Sequence, residues 1–132
     1  MRWGRFGTMA ALNWSALADR ANSDGEFKQL ARFWNAVLKI RVGTASYRVD
    51  IKSGVIGAGV PWFGGIASDL AIEAEDEEWN SLLAPMPRPF YHDLHAATVH
   101  HGFAVSGNTL NYCAYYPALR RLIELMREVR ND

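Results

Sequence analysis

A change of hydrophobic period constrains the fold of this chain more than any other feature. Apolar and polar residues alternate in two runs, VLKIRVG (37–43) and YRVDIKSG (47–54), which share the short turn GTAS. Such alternation gives each strand one apolar and one solvated face, as in antiparallel sheets. The middle of the chain is therefore predicted to form a hairpin whose apolar face is covered by other elements.

Helical patterns precede these strands. Asn13 or Ser15 is expected to cap a first helix that ends near residue 22. Ser23 and Glu26 have the spacing of a capping box for a second helix. Apolar residues then recur at helical spacing over residues 27–34, which predicts an amphipathic second helix.

The later elements follow from shorter patterns. They are a glycine-weakened third strand at 55–60, a fourth strand at 69–75, an acidic-start helix at 75–83, a helix at 90–98, a last strand at 103–108 and a closing helix at 110–129. Strands thus cluster in the middle and helices near the ends, which is typical of α+β proteins. We predict a mostly antiparallel five-stranded sheet with helices packed on one face.

Composition and charge restrict the partners. The 14 basic and 14 acidic residues balance, so the chain lacks the basic excess that nucleic acid requires. No apolar run reaches the roughly 20 residues that span a bilayer, and a single cysteine excludes an internal disulfide. We expect a cytoplasmic protein with neither nucleic acid nor an integral membrane as partner. Residues 1–12 are interpreted as a leader that can be disordered, and 13–132 as one domain.

Four strings, taken in this order, resemble the sterol carrier protein type 2 family. YRVDIKSGVI is similar to its strand–turn–strand, and SDLAIEAEDEEWNSLLAP to its alternating strand followed by an acidic helix start. GFAVSGN is similar to its short strand, and YYPALRRLIELM to its closing helix. The likeness covers roughly residues 30–128, and its motifs are patterns and turns without a catalytic signature.

The resemblance implies an apolar cavity between sheet and helices that binds a lipid, sterol, fatty acid or fatty acyl-CoA. It implies no cofactor and no catalytic residue. The loop PWFGG is expected at the mouth, and residues 90–119 are expected to supply the wall. The predicted ligand-binding residues are Trp62, Phe63, Phe90, Leu94, His95, Phe103, Tyr112, Tyr115, Tyr116 and Leu119.

All four histidines lie in PFYHDLHAATVHHGF (89–103). Three of them, His92, His95 and His100, form a weak candidate metal site, because three imidazoles can hold zinc and leave one position open. Their spacing matches no established motif, so a frame role or a contact to a polar ligand group is favoured. His95 is the histidine that we expect to face the ligand.

Three functions remain open from the sequence. The first is a carrier that binds an apolar small molecule or presents it to a partner enzyme. The second is a small enzyme with a histidine or tyrosine as acid or base in the same cavity. The third is an accessory subunit that forms a homodimer, or docks to an enzyme, through a tryptophan-rich surface that includes Trp3 and Trp14.

Overall fold

The structure is a computed structural model that describes residues 12–64 and 67–132. Its helices are α1 (Trp14–Ser23), α2 (Gly25–Ala31), α3 (Asp76–Leu82), α4 (Leu94–His100) and α5 (Thr109–Asn131). Its strands are β1 (Ala36–Val42), β2 (Ala45–Lys52), β3 (Val55–Ile56), β4 (Val60–Pro61), β5 (Leu70–Ala74) and β6 (Ala104–Gly107). The predicted order of elements is confirmed, except that the third strand is divided into β3 and β4.

The strands form one sheet in the order β3-β2-β1-β5-β6, and β4 pairs separately with β2. The prediction of a mostly antiparallel sheet is confirmed, but β1 and β5 run parallel, so the sheet is mixed. After β3 and β4 pair with β2, the chain crosses to the other side of β1 before it forms β5. That crossing gives β5 the same direction as β1.

The helices cover one face of the sheet. Leu38, Ile40, Ile51 and Ile72 point to this face and are at most 2% exposed. The alternation of the sequence therefore places the core where it was predicted. Trp34, Trp79 and Phe27 are the bulkiest fully buried side chains of the core.

The opposite face of the sheet is polar. Glu73 of β5 lies 3.4 Å from Arg41 and 3.9 Å from Lys39, both on β1. On β2 Arg48 donates to Asp50 at 2.7 Å. These partly exposed pairs keep this face solvated, and each contributes little to the free energy of unfolding.

The first helix begins as predicted, and the second does not. Asn13 Oδ1 accepts from the Ala16 amide and caps α1. The capping box with Ser23 is wrong: Asp24 caps α2 by accepting from the Phe27 amide at 2.8 Å. The Ser23 hydroxyl instead donates back to carbonyls of α1, so it closes that helix. In addition, α2 ends at Ala31, earlier than the predicted stripe over residues 27–34.

The helix predicted over residues 90–98 begins later, at Leu94. Phe90 has φ of +67°, which is incompatible with a helix, and it follows a segment that contains three prolines. Asp93 then supplies the cap, because its carboxylate accepts from the Ala96 amide at 3.3 Å. This shift changes which residues of the segment face the core.

The closing helix α5 is kinked. Tyr115 has non-helical angles (φ −112°, ψ 16°), two residues before Pro117. A proline inside a helix lacks the N–H that would bond four residues back, and its ring clashes there. The half that follows Pro117 is buried from Ala118 to Met126, apart from two partly buried polar residues and one exposed arginine. In the half before it four residues are exposed, and Asn111, Tyr112, Tyr115 and Tyr116 are partly buried.

Two expectations concern the N-terminal segment and the membrane. Most of the predicted leader (1–12) lies outside the described residues, but Leu12 is buried in the core at 5% exposure. No helix within the described ranges combines the length and the apolar character needed to cross a membrane.

Candidate ligand-binding pocket

A pocket of about 240 Å³ opens at the β6 edge of the sheet, between α4 and the first turns of α5. Its floor is apolar, and its rim carries hydroxyl groups and one imidazole. It is lined by Leu70, His95, Thr98, Val105, Ser106, Gly107, Thr109 and Tyr112.

A glycine turn places α5 at this edge. Gly107 has φ of +115°, and a Cβ there would lie 2.3 Å from the Asp69 carbonyl oxygen, so only glycine fits without a shift. The Asn108 amide donates to the same carbonyl at 2.8 Å, and the Asn108 side chain caps α5 by accepting from Asn111. The helix therefore starts directly after the strand, and its first turn forms one wall of the pocket.

A chain of hydrogen bonds links the pocket to the two helices. Nδ1 of His95 lies 3.3 Å from the Tyr112 hydroxyl. The His95 amide donates to the Tyr116 hydroxyl at 2.9 Å, and that hydroxyl donates to Asp93. Arg120 lies 3.8 Å from the same carboxylate. Asp93 thus fixes both the start of α4 and the Tyr116 side chain beside the pocket.

Both tyrosines are poor acids in this environment. Burial and then the nearby Asp93 charge raise the pKa of Tyr112 to about 12. Burial, followed by the hydrogen bond to Asp93, raises the pKa of Tyr116 above its usual value. The two hydroxyls therefore stay protonated at neutral pH and can donate hydrogen bonds.

The predicted ligand-binding residues do not share one environment. His95 and Tyr112 line the pocket, and Tyr116 contacts His95 from behind it. Leu94, Phe103 and Leu119 lie in the core instead, where Phe103 meets Trp79 edge to face. Tyr115 stacks on the Trp34 ring at 5.3 Å between centroids.

Three predicted aromatic residues lie away from the pocket. The Trp62 ring is 5.6 Å from the Lys39 ammonium, which belongs to the polar face of the sheet. Phe63 follows it and is 69% exposed. Phe90 stacks on His100 with 3.7 Å between the ring centroids. A ligand-binding role for these three residues stays a prediction.

The histidines are part of separate contacts. Among the described residues, which include all four histidines, no three potential ligands come together to hold a metal ion. The weak triad of His92, His95 and His100 is therefore not assembled. His101 stacks on Tyr91 with 3.7 Å between the ring centroids.

The sequence reasoning missed the hydroxyl residues of the rim, Thr98, Ser106 and Thr109. Small polar residues carry no hydrophobic pattern, so no periodicity marks them. The spacing of Tyr112 and Tyr116 by four residues did place both on one helix face, which was the available signal.

Solved structures identify the fold. No model of a protein family matches the sequence, and no curated protein matches it at a significant level. A crystal structure of sterol carrier protein 2 is 19% identical, has a TM-score of 0.73, and covers 92% of this chain and 98% of its own. A conserved hypothetical protein of Thermus thermophilus, named as a candidate sterol carrier protein, is 17% identical and has a TM-score of 0.67. The match covers 98% of this chain and 89% of that protein. Sterol carrier protein 2 of Yarrowia lipolytica, in its apo form, is 15% identical and has a TM-score of 0.56. The match covers 99% of this chain and 98% of that protein. This chain has the fold of these structures.

Proposed function

We propose that this chain, which has the sterol carrier protein 2 fold, binds an apolar small molecule and carries it or presents it to a partner enzyme. The ligand class is a lipid, sterol, fatty acid or fatty acyl-CoA. The cytoplasm is the proposed compartment, and a homodimer or a partner enzyme remains part of the proposal.

The pocket between α4, β6 and α5 is the observation that carries the proposal. Leu70 and Val105 give it an apolar floor, and a few polar groups at its rim can orient a ligand. Its volume of about 240 Å³ is small for a complete lipid, since pockets for drug-sized ligands start near 300 Å³. The pocket therefore suits one end of the ligand.

Two residues that follow pocket residues in the sequence have exposed apolar side chains. Val99 directly follows Thr98 of the pocket and is 65% exposed, and Leu110 follows Thr109 and is 84% exposed. We propose that these two side chains contact the part of the ligand that extends beyond the pocket.

The enzyme alternative finds less support. His95 and Tyr112 are in hydrogen-bond reach, as an acid and base pair would be. However, a hydroxyl with a pKa of about 12 is far from the neutral value that suits proton transfer. A donor that holds a ligand is the role that fits this tyrosine.

The accessory-subunit alternative depended on tryptophans at the surface. Trp3 lies outside the described residues. Trp14 is partly buried and packs on Tyr47 with 5.0 Å between ring centroids. This tryptophan therefore supports the fold more than it offers a docking surface.

A pair of matched substitutions tests the proposal. Thr109→Trp fills much of the pocket from an exposed position, and Thr44→Trp makes the same change in the exposed β1–β2 turn. We expect native mass spectra of the purified protein to show a bound lipid. We also expect dehydroergosterol, a fluorescent sterol, to bind to the wild type and Thr44→Trp but at least about ten-fold more weakly to Thr109→Trp. Absence of both copurified lipid and probe binding in the wild type would contradict the carrier function.

A further inference from the structure

We infer that the pocket selects ligands whose polar end is uncharged, such as an alcohol or a ketone, over ligands that end in a carboxylate or a phosphate. This inference rests on the proposed carrier function and narrows its ligand class. It follows from which charges the pocket has and how its hydrogen-bond donors are held.

The described lining of the pocket has no strongly basic side chain to pair with an anion. None of the described residues that line it is a lysine or an arginine. A carboxylate loses hydration when it enters a pocket, and without a cation beside it regains only part of that free energy. An anionic head group would therefore be disfavoured in this pocket.

The neighbouring charges add to this effect. Asp93 contacts the Tyr116 hydroxyl, and its negative charge also acts on Tyr112. Arg120 lies 3.8 Å from Asp93, but its side chain is 61% exposed and already faces this carboxylate. Solvent screens such an exposed cation, so it does not turn the pocket into an anion site.

The donors of the rim suit a neutral oxygen. The Tyr112 hydroxyl and the imidazole of His95 lie 3.3 Å apart at the pocket, and either can donate to or accept from an alcohol. Thr98 is less available, because its hydroxyl already donates to the His95 carbonyl at 2.6 Å. Ser106 and Thr109 also line the pocket but are exposed, whereas Tyr112 is partly buried, so we assign Tyr112 as the main contact to the polar end of the ligand.

The test compares three probes with the same chain: dodecane, 1-dodecanol and dodecanoate. Binding is measured by calorimetry below the aggregation concentration of each probe and at pH 8, where dodecanoate is ionised. We expect 1-dodecanol to bind about five-fold more tightly than dodecane and at least about ten-fold more tightly than dodecanoate.

Two matched variants locate the effect. Tyr112→Phe should abolish the advantage of 1-dodecanol over dodecane and leave dodecanoate binding unchanged. Tyr115→Phe makes the same change three residues later, where the ring stacks on Trp34 outside the pocket, and should keep that advantage.

The outcomes separate the two proposals. Dodecanoate binding that equals or exceeds 1-dodecanol binding overturns the inference and leaves the carrier function intact. The same conclusion follows if Tyr112→Phe keeps the full advantage of the alcohol. Failure of all three probes to bind overturns the inference, and the carrier function falls with it only if the wild type also shows neither copurified lipid nor binding of dehydroergosterol.

Discussion

The ion pair between Asp24 and Arg121 should contribute a measurable part of the stability of this fold. Arg121 of α5 donates two hydrogen bonds to the Asp24 carboxylate, at 2.8 and 3.0 Å. Asp24 also caps α2 through the Phe27 amide. The two side chains are 17% and 20% exposed, so water screens the pair only in part.

The expected magnitudes follow from these contacts. Loss of a helix cap costs about 1 kcal/mol, and loss of hydrogen bonds to a charged group costs about 1.5–3 kcal/mol before screening. With partial exposure we halve the second figure, so Asp24→Ala should lower the free energy of unfolding by about 2 kcal/mol. Asp24→Asn keeps a capping side chain and should lose only about 1 kcal/mol, which represents the charged pair.

The pair also predicts a dependence on pH. The hydrogen bonds from Arg121, assisted by the Phe27 amide and opposed by partial burial, hold the pKa of Asp24 below its usual value. A carboxyl whose pKa is lower in the folded state stabilises the fold above its unfolded pKa, which is about 3.9. That contribution disappears as the pH falls below 3.9 and through the folded pKa. The difference in free energy of unfolding between wild type and Asp24→Asn should therefore become smaller as the pH is lowered from 7 to 3.

Urea unfolding, monitored by tryptophan fluorescence, measures these free energies. A double-mutant cycle of Asp24→Asn and Arg121→Met at pH 7 gives the coupling energy between the two side chains. We expect a coupling energy of about 1 kcal/mol. Arg120→Met is the control, because that neighbouring arginine is 61% exposed and its ion pair should contribute less than about 0.5 kcal/mol. A coupling below about 0.3 kcal/mol, or a gap that does not change with pH, would refute the reasoning.

Two further substitutions test the elements that frame the pocket. The indole N–H of Trp34 donates to Asn111 Oδ1 at 2.8 Å, and Asn111→Leu removes this acceptor. The substitution should lower the free energy of unfolding, measured in thermal melts, by about 1–3 kcal/mol. A loss below about 0.5 kcal/mol would mean that water replaces the amide. Gly107→Ala should lower the free energy of unfolding by at least about 2 kcal/mol, because Gly107 has φ of +115° and the new Cβ would meet the Asp69 carbonyl. Gly25→Ala is the control: no heavy atom lies within 4 Å of its new Cβ, so the free energy of unfolding should hardly change in the same melts. Equal melting temperatures for the two alanine variants would contradict the strain argument.

Much of the fold could be predicted because it depends on patterns that are local in the sequence. Alternation in β1 and β2 defines their buried face, and Asn13 marks the start of α1. The parallel pairing of β1 and β5 could not be predicted, since alternation does not encode the direction of a neighbouring strand. The cap of α2 was misplaced because Ser23 and Asp24 are adjacent and both residue types are good caps.

The candidate site was predictable only in part. Tyr112, Tyr116 and His95 were each predicted to contact a ligand, but no contact among the three was predicted. The helix start was set at Phe90 instead of Leu94, so the side chains of the segment were assigned to a common wall. Once Asp93 caps the helix, Leu94 turns into the core and His95 turns toward α5. Whether these residues bind a ligand stays a prediction.

The kink of α5 has a consequence for how a protein of this kind can change over time. The half after Pro117 is buried and anchors the helix, while the half before it carries Thr109 and Tyr112 at the pocket. Thr109 is exposed and lies nine residues before the buried Ala118, about 13 Å along the helix, so the effects of substitutions at these two positions on stability should add. A new ligand preference can then arise at the exposed start of α5 at little cost to the core, whereas Tyr115, which stacks on the buried Trp34, is less free to change.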